Sequence, residues 1–365
     1  MEKQQKATNA MVIVAGLWLF LSFFAWFRPS DDHSVTERRE LAQFPEITAQ
    51  QLLNGRFMED FESYTLDQFP MRDNFRSLKA LVHRYVLLQK DNNGIYLKDG
   101  HIAQLEYPLN KKSVQHALSV FQKVYDKYLS QSNVYACVVP DKGYYLAGSS
   151  YPAMDYEALY SAMAEGMPYA SFIDLRDTLS LDDYYRTDTH WRQEKLINAA
   201  TKLCSAMDSQ IPNIDDYTPT PADNPFYGVY YGQAALPVAP DTLYTMESDM
   251  LAGCKVMNYE TGSYAAVYDE SKKSSDDLYQ IFLSGSVSLL KIENPNATTD
   301  KELIIFRDSF GSAISPLLVQ GYKSVTLVDI RYISSAMLSR FMTFEGKDVL
   351  FLYSTLVLNN SSQLS

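Results

Sequence analysis

Ile304-Ile305-Phe306-Arg307-Asp308-Ser309-Phe310-Gly311 is an apolar run that breaks into a polar turn, after which Ala313-Ile314-Ser315-Pro316-Leu317-Leu318 resumes with the composition of a buried helix. The layout is strand, tight turn, helix start. It sets a serine hydroxyl at the carboxyl end of a buried strand, where open α/β sheets receive their ligands, beside helix-terminal N–H groups that can hold an oxyanion. A serine so placed needs a base. Asp188-Thr189-His190, far upstream, offers one: an imidazole to take the hydroxyl proton and a carboxylate two residues away to orient the ring. Each motif alone is ordinary, since Ser309 also reads as a helix cap and Asp188 as a capping aspartate beside a surface histidine. Their coincidence in one α/β chain is what points to chemistry.

Working outward, apolar strands are predicted at 134–139, 170–175, 302–306, 324–330 and 348–353, separated by helical patterns at 113–129, 155–167, 191–207, 311–320 and 334–341. Five buried strands joined through helices imply a doubly wound, mostly parallel α/β sheet. The segment 208–296 breaks the alternation. It is rich in Pro, Tyr and Gly, includes Phe226-Tyr227-Gly228-Val229-Tyr230-Tyr231-Gly232, and carries short strand-like pieces at 255–259, 264–268 and 279–283. That pattern reads as an antiparallel, Tyr-rich insertion beside the site. Asp99-Gly100 marks a hairpin turn between Ile95-Tyr96-Leu97 and His101-Ile102.

Composition narrows the function classes. The chain has 365 residues, 46% of them hydrophobic, and a formal charge of −12. That balance, without a basic stripe, excludes nucleic acid as a partner. Cys137, Cys204 and Cys254 form no C-x-x-C pair and read as buried thiols. Asp182-Asp183 has no histidine or carboxylate cluster around it, so no metal or other cofactor is expected.

Residues 10–27 (AMVIVAGLWLFLSFFAWF) are uninterrupted apolar sequence, about 27 Å long as a helix and close to a bilayer's hydrocarbon thickness. Lys3 and Lys6 precede the run, while Asp31 and Asp32 follow it, which orients residues 1–9 to the cytoplasm and the rest outside. Arg28-Pro29 stands where a cleavage site would be, favouring an uncleaved single-pass anchor over a signal peptide. The expected organisation is therefore a transmembrane anchor at 10–27, a juxtamembrane stalk at 28–55 and an extracellular catalytic domain at 56–365 that contains the insertion.

Tyr184-Tyr185-Arg186-Thr187-Asp188-Thr189-His190-Trp191 resembles the signature of the DHHW family, and with Asp308-Ser309-Phe310-Gly311 the chain is similar to the alginate O-acetylation proteins of the SGNH hydrolase superfamily. Glu37 to Pro45, Asp67 to Arg72, Pro140 to Tyr144, Phe226 to Gly228 and Asp329 to Tyr332 fit the same order. The resemblance implies a flavodoxin-like SGNH core, a Ser309–His190–Asp188 triad, and O-acetyltransferase or acetylesterase activity on an exopolysaccharide or cell-envelope glycan. It implies a multi-pass membrane O-acyltransferase as a possible partner supplying acetyl groups. Arg331, Tyr332, Lys142, Tyr227 and Tyr230 are candidate substrate contacts on the same reading. Two positions depart from the pattern. Thr189 stands for the first histidine of the name, and Arg307 for the glycine of Gly-Asp-Ser.

Transferase and esterase share one triad and differ in the acceptor of the second half-reaction. A different class stays open beside them: a non-catalytic polysaccharide-binding or scaffold subunit of an acetylation and export complex. A lipase-type hydrolase fits less well, because nothing in the chain suggests a long apolar acyl groove.

Overall fold

The run at 302–307 forms a strand whose two faces are both covered, and this explains why its apolar residues are continuous rather than alternating. In the computed structural model, which describes residues 2–146, 148 and 151–365, the chain divides into two units: Met1–Gln89 with Ala235–Pro237, and Lys90–Ala234 with Val238–Ser365. Residue 1 of the expected cytoplasmic segment lies outside the described residues.

The first unit contains α1 (Glu2–Phe27), α2 (Arg56–Asp67) and α3 (Arg72–Leu81). Within α1, Gln5–Ala25 is long and apolar enough to cross a membrane. Charged side chains knit the segment after it. Asp67 accepts two hydrogen bonds from Arg39, at 2.7 and 2.5 Å, and Glu37 meets Arg72 at 2.5 Å and Arg76 at 3.1 Å.

The second unit packs α4 (Lys111–Val124) and α5 (Tyr156–Gly166), with later helices, around eight strands: β1 (Asn133–Val139), β2 (Ser171–Asp174), β3 (Lys255–Asn258), β4 (Ser263–Ala265), β5 (Leu289–Glu293), β6 (Glu302–Arg307), β7 (Ser324–Val328) and β8 (Asp348–Ser354). Their order across the sheet is β4-β3-β5-β7-β6-β8-β1-β2. From β7 to β2 every neighbour is parallel, while β5, β3 and β4 continue the other edge antiparallel. The period of a strand divides its side chains between two cores. On β6, Leu303 and Ile305 pack in one layer with Leu317 and Leu318 of α7 (Phe310–Leu318), and Ile304 and Phe306 pack in the other with Phe121 and Phe351. A separate hairpin joins Ile95–Lys98 to His101–Gln104. Its turn residues Asp99 and Gly100 have φ of 49° and 78°, the conformation that two-residue hairpins need.

Two expected elements differ. The predicted strand at 279–283 is instead a 3-10 turn, Leu278–Ile281, opened by the Asp277 side chain accepting from the Tyr279 amide and followed by positive φ at Leu283 and Ser284. A chain turning that tightly cannot extend, and β5 is the strand that joins the sheet there. The helix predicted from 191 begins only at Ile197 (α6, Ile197–Ala206): Trp191 and Gln193 are buried ahead of it, and Gln193 opens a separate 3-10 turn, Gln193–Lys195.

Candidate active site

The turn after β6 carries Ser309. Asp308 is buried, and its carboxylate accepts from the Phe310 amide at 3.0 Å and from the Ser354 amide of neighbouring β8 at 2.7 Å. The turn is thereby pinned to two strand ends. Ser309 occupies the N-cap position of α7 with helical backbone angles, and its hydroxyl caps nothing. The oxygen is left for another partner.

That partner is His190, whose Nε2 lies 2.7 Å from Ser309 Oγ. Its Nδ1 lies 2.6 Å from Asp188 Oδ1. A carboxylate can only accept, so Nδ1 carries the proton and Nε2 is the acceptor for the serine hydroxyl. Asp188 is itself fixed: Oδ1 also accepts from the His190 amide at 3.0 Å, and Oδ2 accepts from the Val229 amide at 2.9 Å. The side chain of Asp188 is 1% exposed and that of His190 12%, so the carboxylate is shut away while the ring reaches the surface.

Distant segments meet because residues next to each motif stitch them. Trp191, fully buried, donates from Nε1 to the Phe310 carbonyl at 3.0 Å and meets the Phe310 ring edge-on at 5.5 Å. Gln193 donates to the Ala313 carbonyl at 2.7 Å and accepts from the Met246 amide at 2.8 Å. Gly228 runs against the Asp188 loop so closely that a Cβ there would stand 2.2 Å from Asp188 Cβ and 2.4 Å from its amide nitrogen.

Tyr279 has no signal in the sequence beyond being one of many tyrosines. Its ring stacks on His190 with centroids 3.8 Å apart and planes 9° from parallel, and its hydroxyl donates to the Ser309 carbonyl at 3.3 Å. Burial holds the phenol well above its ordinary pKa, so it remains a donor. The imidazole thus has one free rotation blocked by a flat neighbour. Tyr279→Ala should lower kcat on an aryl acetate by about 10²-fold, the scale of a misplaced catalytic group, while Tyr279→Phe, which keeps the ring, should retain most turnover.

The remaining candidates separate into buried and exposed. Lys142 and Tyr230, expected to touch substrate, are 2% and 5% exposed and therefore belong to the supporting structure. The Lys142 ammonium donates to the carbonyls of Ile102, Tyr185 and Arg186 and sits 5.1 Å from the Tyr230 ring centroid. The Tyr230 hydroxyl donates to Thr189 Oγ1 at 3.1 Å, which is what the residue replacing the first histidine does here. Arg331 grips Asp329 through two hydrogen bonds of 2.9 and 2.6 Å, and so is tied down rather than free to reach outward. Tyr332 and Tyr227, at 55% and 42% exposed, are open to solvent. Arg307 is buried, with its guanidinium on the Asp308 carbonyl, Ser312 Oγ and the Val287 carbonyl and 4.0 Å from Asp329, so it braces the turn from behind.

Burial pushes the Lys142 ammonium down to about 7, against the pull of Asp188, Asp241 and Asp141. Below that pH both folded and unfolded chains hold the proton and the cost of burying the charge is felt in full. Above it the folded chain releases the proton first, so stability gains as pH rises from about 7 toward the ordinary lysine value. Lys142→Met should lose this gain: thermal melting of the two proteins compared across that window should show a flatter pH dependence in the variant.

No curated protein matches the chain by sequence. Its fold is similar to a DHHW family protein from Eubacterium siraeum, at TM-score 0.62 and 21% identity over 75% of this chain and 97% of that one. It is also similar to Bacillus cereus PatB1 carrying a sulfonyl adduct, at TM-score 0.57 and 16% identity over 72% of this chain and 95% of that one. The O-acetyltransferase domain of Pseudomonas putida AlgJ aligns at TM-score 0.46 and 14% identity over 73% of this chain and 92% of that one. The family model of the DHHW protein matches residues 149–328, the stretch that holds both motifs.

Proposed function

We propose that this chain is a membrane-anchored O-acetyltransferase or acetylesterase of SGNH type, acting outside the cytoplasm on a polysaccharide through Ser309, His190 and Asp188. The observation that carries the proposal is the unbroken line of hydrogen bonds from the Asp188 carboxylate through the His190 ring to the Ser309 hydroxyl, at 2.6 and 2.7 Å. Further support comes from the hydroxyl's lack of a capping role and from the family match across both motifs.

In this reading Ser309 Oγ attacks the carbonyl carbon of an acetyl ester while His190 Nε2 takes the hydroxyl proton. Asp188 steadies the resulting imidazolium through Nδ1–H. The tetrahedral intermediate collapses, the proton passes from Nε2 to the departing alkoxide, and an acetyl-serine remains. A sugar hydroxyl or water then gives its proton to Nε2 and attacks the acetyl carbon, restoring Ser309. The Ser309 amide, at the start of α7, is the first candidate donor to the oxyanion. The exposed rings of Tyr227 and Tyr332 offer flat amphipathic faces for sugar.

The lysines before the apolar run and the acidic residues after it support a cytoplasmic N-terminus. The organisation proposed is an anchor at 10–27, a juxtamembrane segment at 28–55 and, from 56 onward, a chain outside the cytoplasm that carries Asp188, His190 and Ser309. A multi-pass acyltransferase would deliver the acetyl group from the cytoplasmic side. Full-length protein given an aryl acetate and a panel of envelope oligosaccharides tests the activity: acetylated glycan marks a transferase, free acetate alone an esterase. Glycan binding with neither product would favour a scaffold role and overturn the enzymatic reading.

A further inference from the structure

The first unit wears its helices inside out. Along α3 and the π turn that continues it to Val86, Phe75, Leu78, Val82, Tyr85 and Val86 recur at helical spacing, and with Met71 at the N-cap they fall on one stripe about 100° wide on an α-helical wheel. All six are exposed, Leu78 by 55% and Val86 by 69%. The opposite side of the helix faces its own unit with Ala80, which is buried, and with Arg72 and Arg76 paired to Glu37. A water-facing helix does the reverse. So large a contiguous apolar face calls for a partner.

The neighbouring aromatic groove says which. Phe69 and Phe75, with ring centroids 5.4 Å apart, line it together with Trp18 and Ala25 of α1, and the Trp18 ring centroid is 6.0 Å from that of Phe69. Ala25 is the last residue of the apolar span, so Trp18 lies about 10 Å of helix rise inside it. The groove, and Phe75 at the head of the stripe, therefore share the depth of the span's outer third. Exposed Lys79 flanks the stripe with a cation, as in helices that lie in a membrane interface with their charged heads reaching back to water.

We propose that α3 and the turn that continues it lie in the leaflet reached by the C-terminal end of α1, with the stripe from Met71 to Val86 against lipid acyl chains. The chain would then hold its membrane by a span and an interfacial helix together. The proposal rests on reading α1 as a membrane span, and the test separates the two.

The three native cysteines are all buried, so single surface cysteines can be labelled selectively. Full-length protein bearing Leu78→Cys, or Met11→Cys within α1, is labelled with an environment-sensitive fluorophore and reconstituted in phosphatidylcholine–phosphatidylglycerol vesicles with or without nitroxide-labelled lipid. The expected result is a blue-shifted emission at both positions, loss of signal to nitroxide lipid, and protection from aqueous iodide. Loss to iodide at Leu78 with lipid quenching retained at Met11 would overturn the proposal and leave the anchor standing. Protection from both quenchers at Leu78 would mean a second copy or another protein covers the stripe, and would overturn it as well. If neither position is quenched by lipid, the membrane reading itself fails.

Discussion

His190→Ala and Ser309→Ala proteins should each lose nearly all turnover of an aryl acetate, with kcat falling on the order of 10⁶-fold if the pair works as a unit. The reason is the shared proton: with Nε2 only 2.7 Å from Oγ, neither group does its work without the other. Removing both should therefore cost little more than removing one, and this non-additivity distinguishes a coupled pair from two independent contributors. Asp188→Asn should cost on the order of 10⁴-fold, because an amide in place of the carboxylate would present a donor to Nδ1 and turn the imidazole to the wrong tautomer. All three proteins should keep the wild-type melting transition to within about 2 kcal/mol of stability. Kinetics and calorimetry on the same preparations check both halves of the expectation.

Gly228→Ala should have the largest effect of any substitution made outside Ser309, His190 and Asp188 themselves. A methyl at Gly228 would meet the Asp188 Cα at 2.3 Å and its amide nitrogen at 2.4 Å, so backbone has to move rather than a flexible side-chain end. The Gly228 amide also donates to Thr187 Oγ1 at 2.9 Å, and the next amide, of Val229, holds the Asp188 carboxylate. Pushing these strands of loop apart would displace the carboxylate from His190. The expected cost is about 3 kcal/mol of stability, at the upper end for overpacking, together with a fall in kcat of about 10²-fold or more from misplacement of the base. Gly16→Ala, on α1 with no atom within 4 Å of the added methyl and no left-handed φ, is the control for glycine replacement as such.

Much of the site was legible because its parts are local. Ser309 is announced by an apolar strand ending in a turn, and His190 by a carboxylate two residues before it. What made them meet is not local. Trp191 and Gln193 look like the first turn of a helix, and only the burial of a glutamine amide between the Ala313 carbonyl and the Met246 amide shows why helix formation waits until Ile197. Tyr279 is a similar case: its segment has the apolar composition of a strand, but the Asp277 cap and two left-handed residues fold it onto the imidazole. Lys142 and Tyr230 failed as surface contacts for a general reason, since long amphipathic side chains serve equally well outside or, given enough carbonyls or one hydroxyl partner, inside. The sheet's antiparallel edge was partly hidden for the opposite reason, because Leu289–Glu293 is short and interrupted by Lys291.

The most direct measurement is the rate at which phenylmethylsulfonyl fluoride labels the full-length protein, with the modified residue located by peptide mass mapping. A single sulfonyl group on Ser309, absent from Ser309→Ala and slowed to near background in folded His190→Ala, is the result expected if the imidazole activates the hydroxyl. Labelling of some other residue, or an unchanged rate at Ser309 without His190, would contradict it.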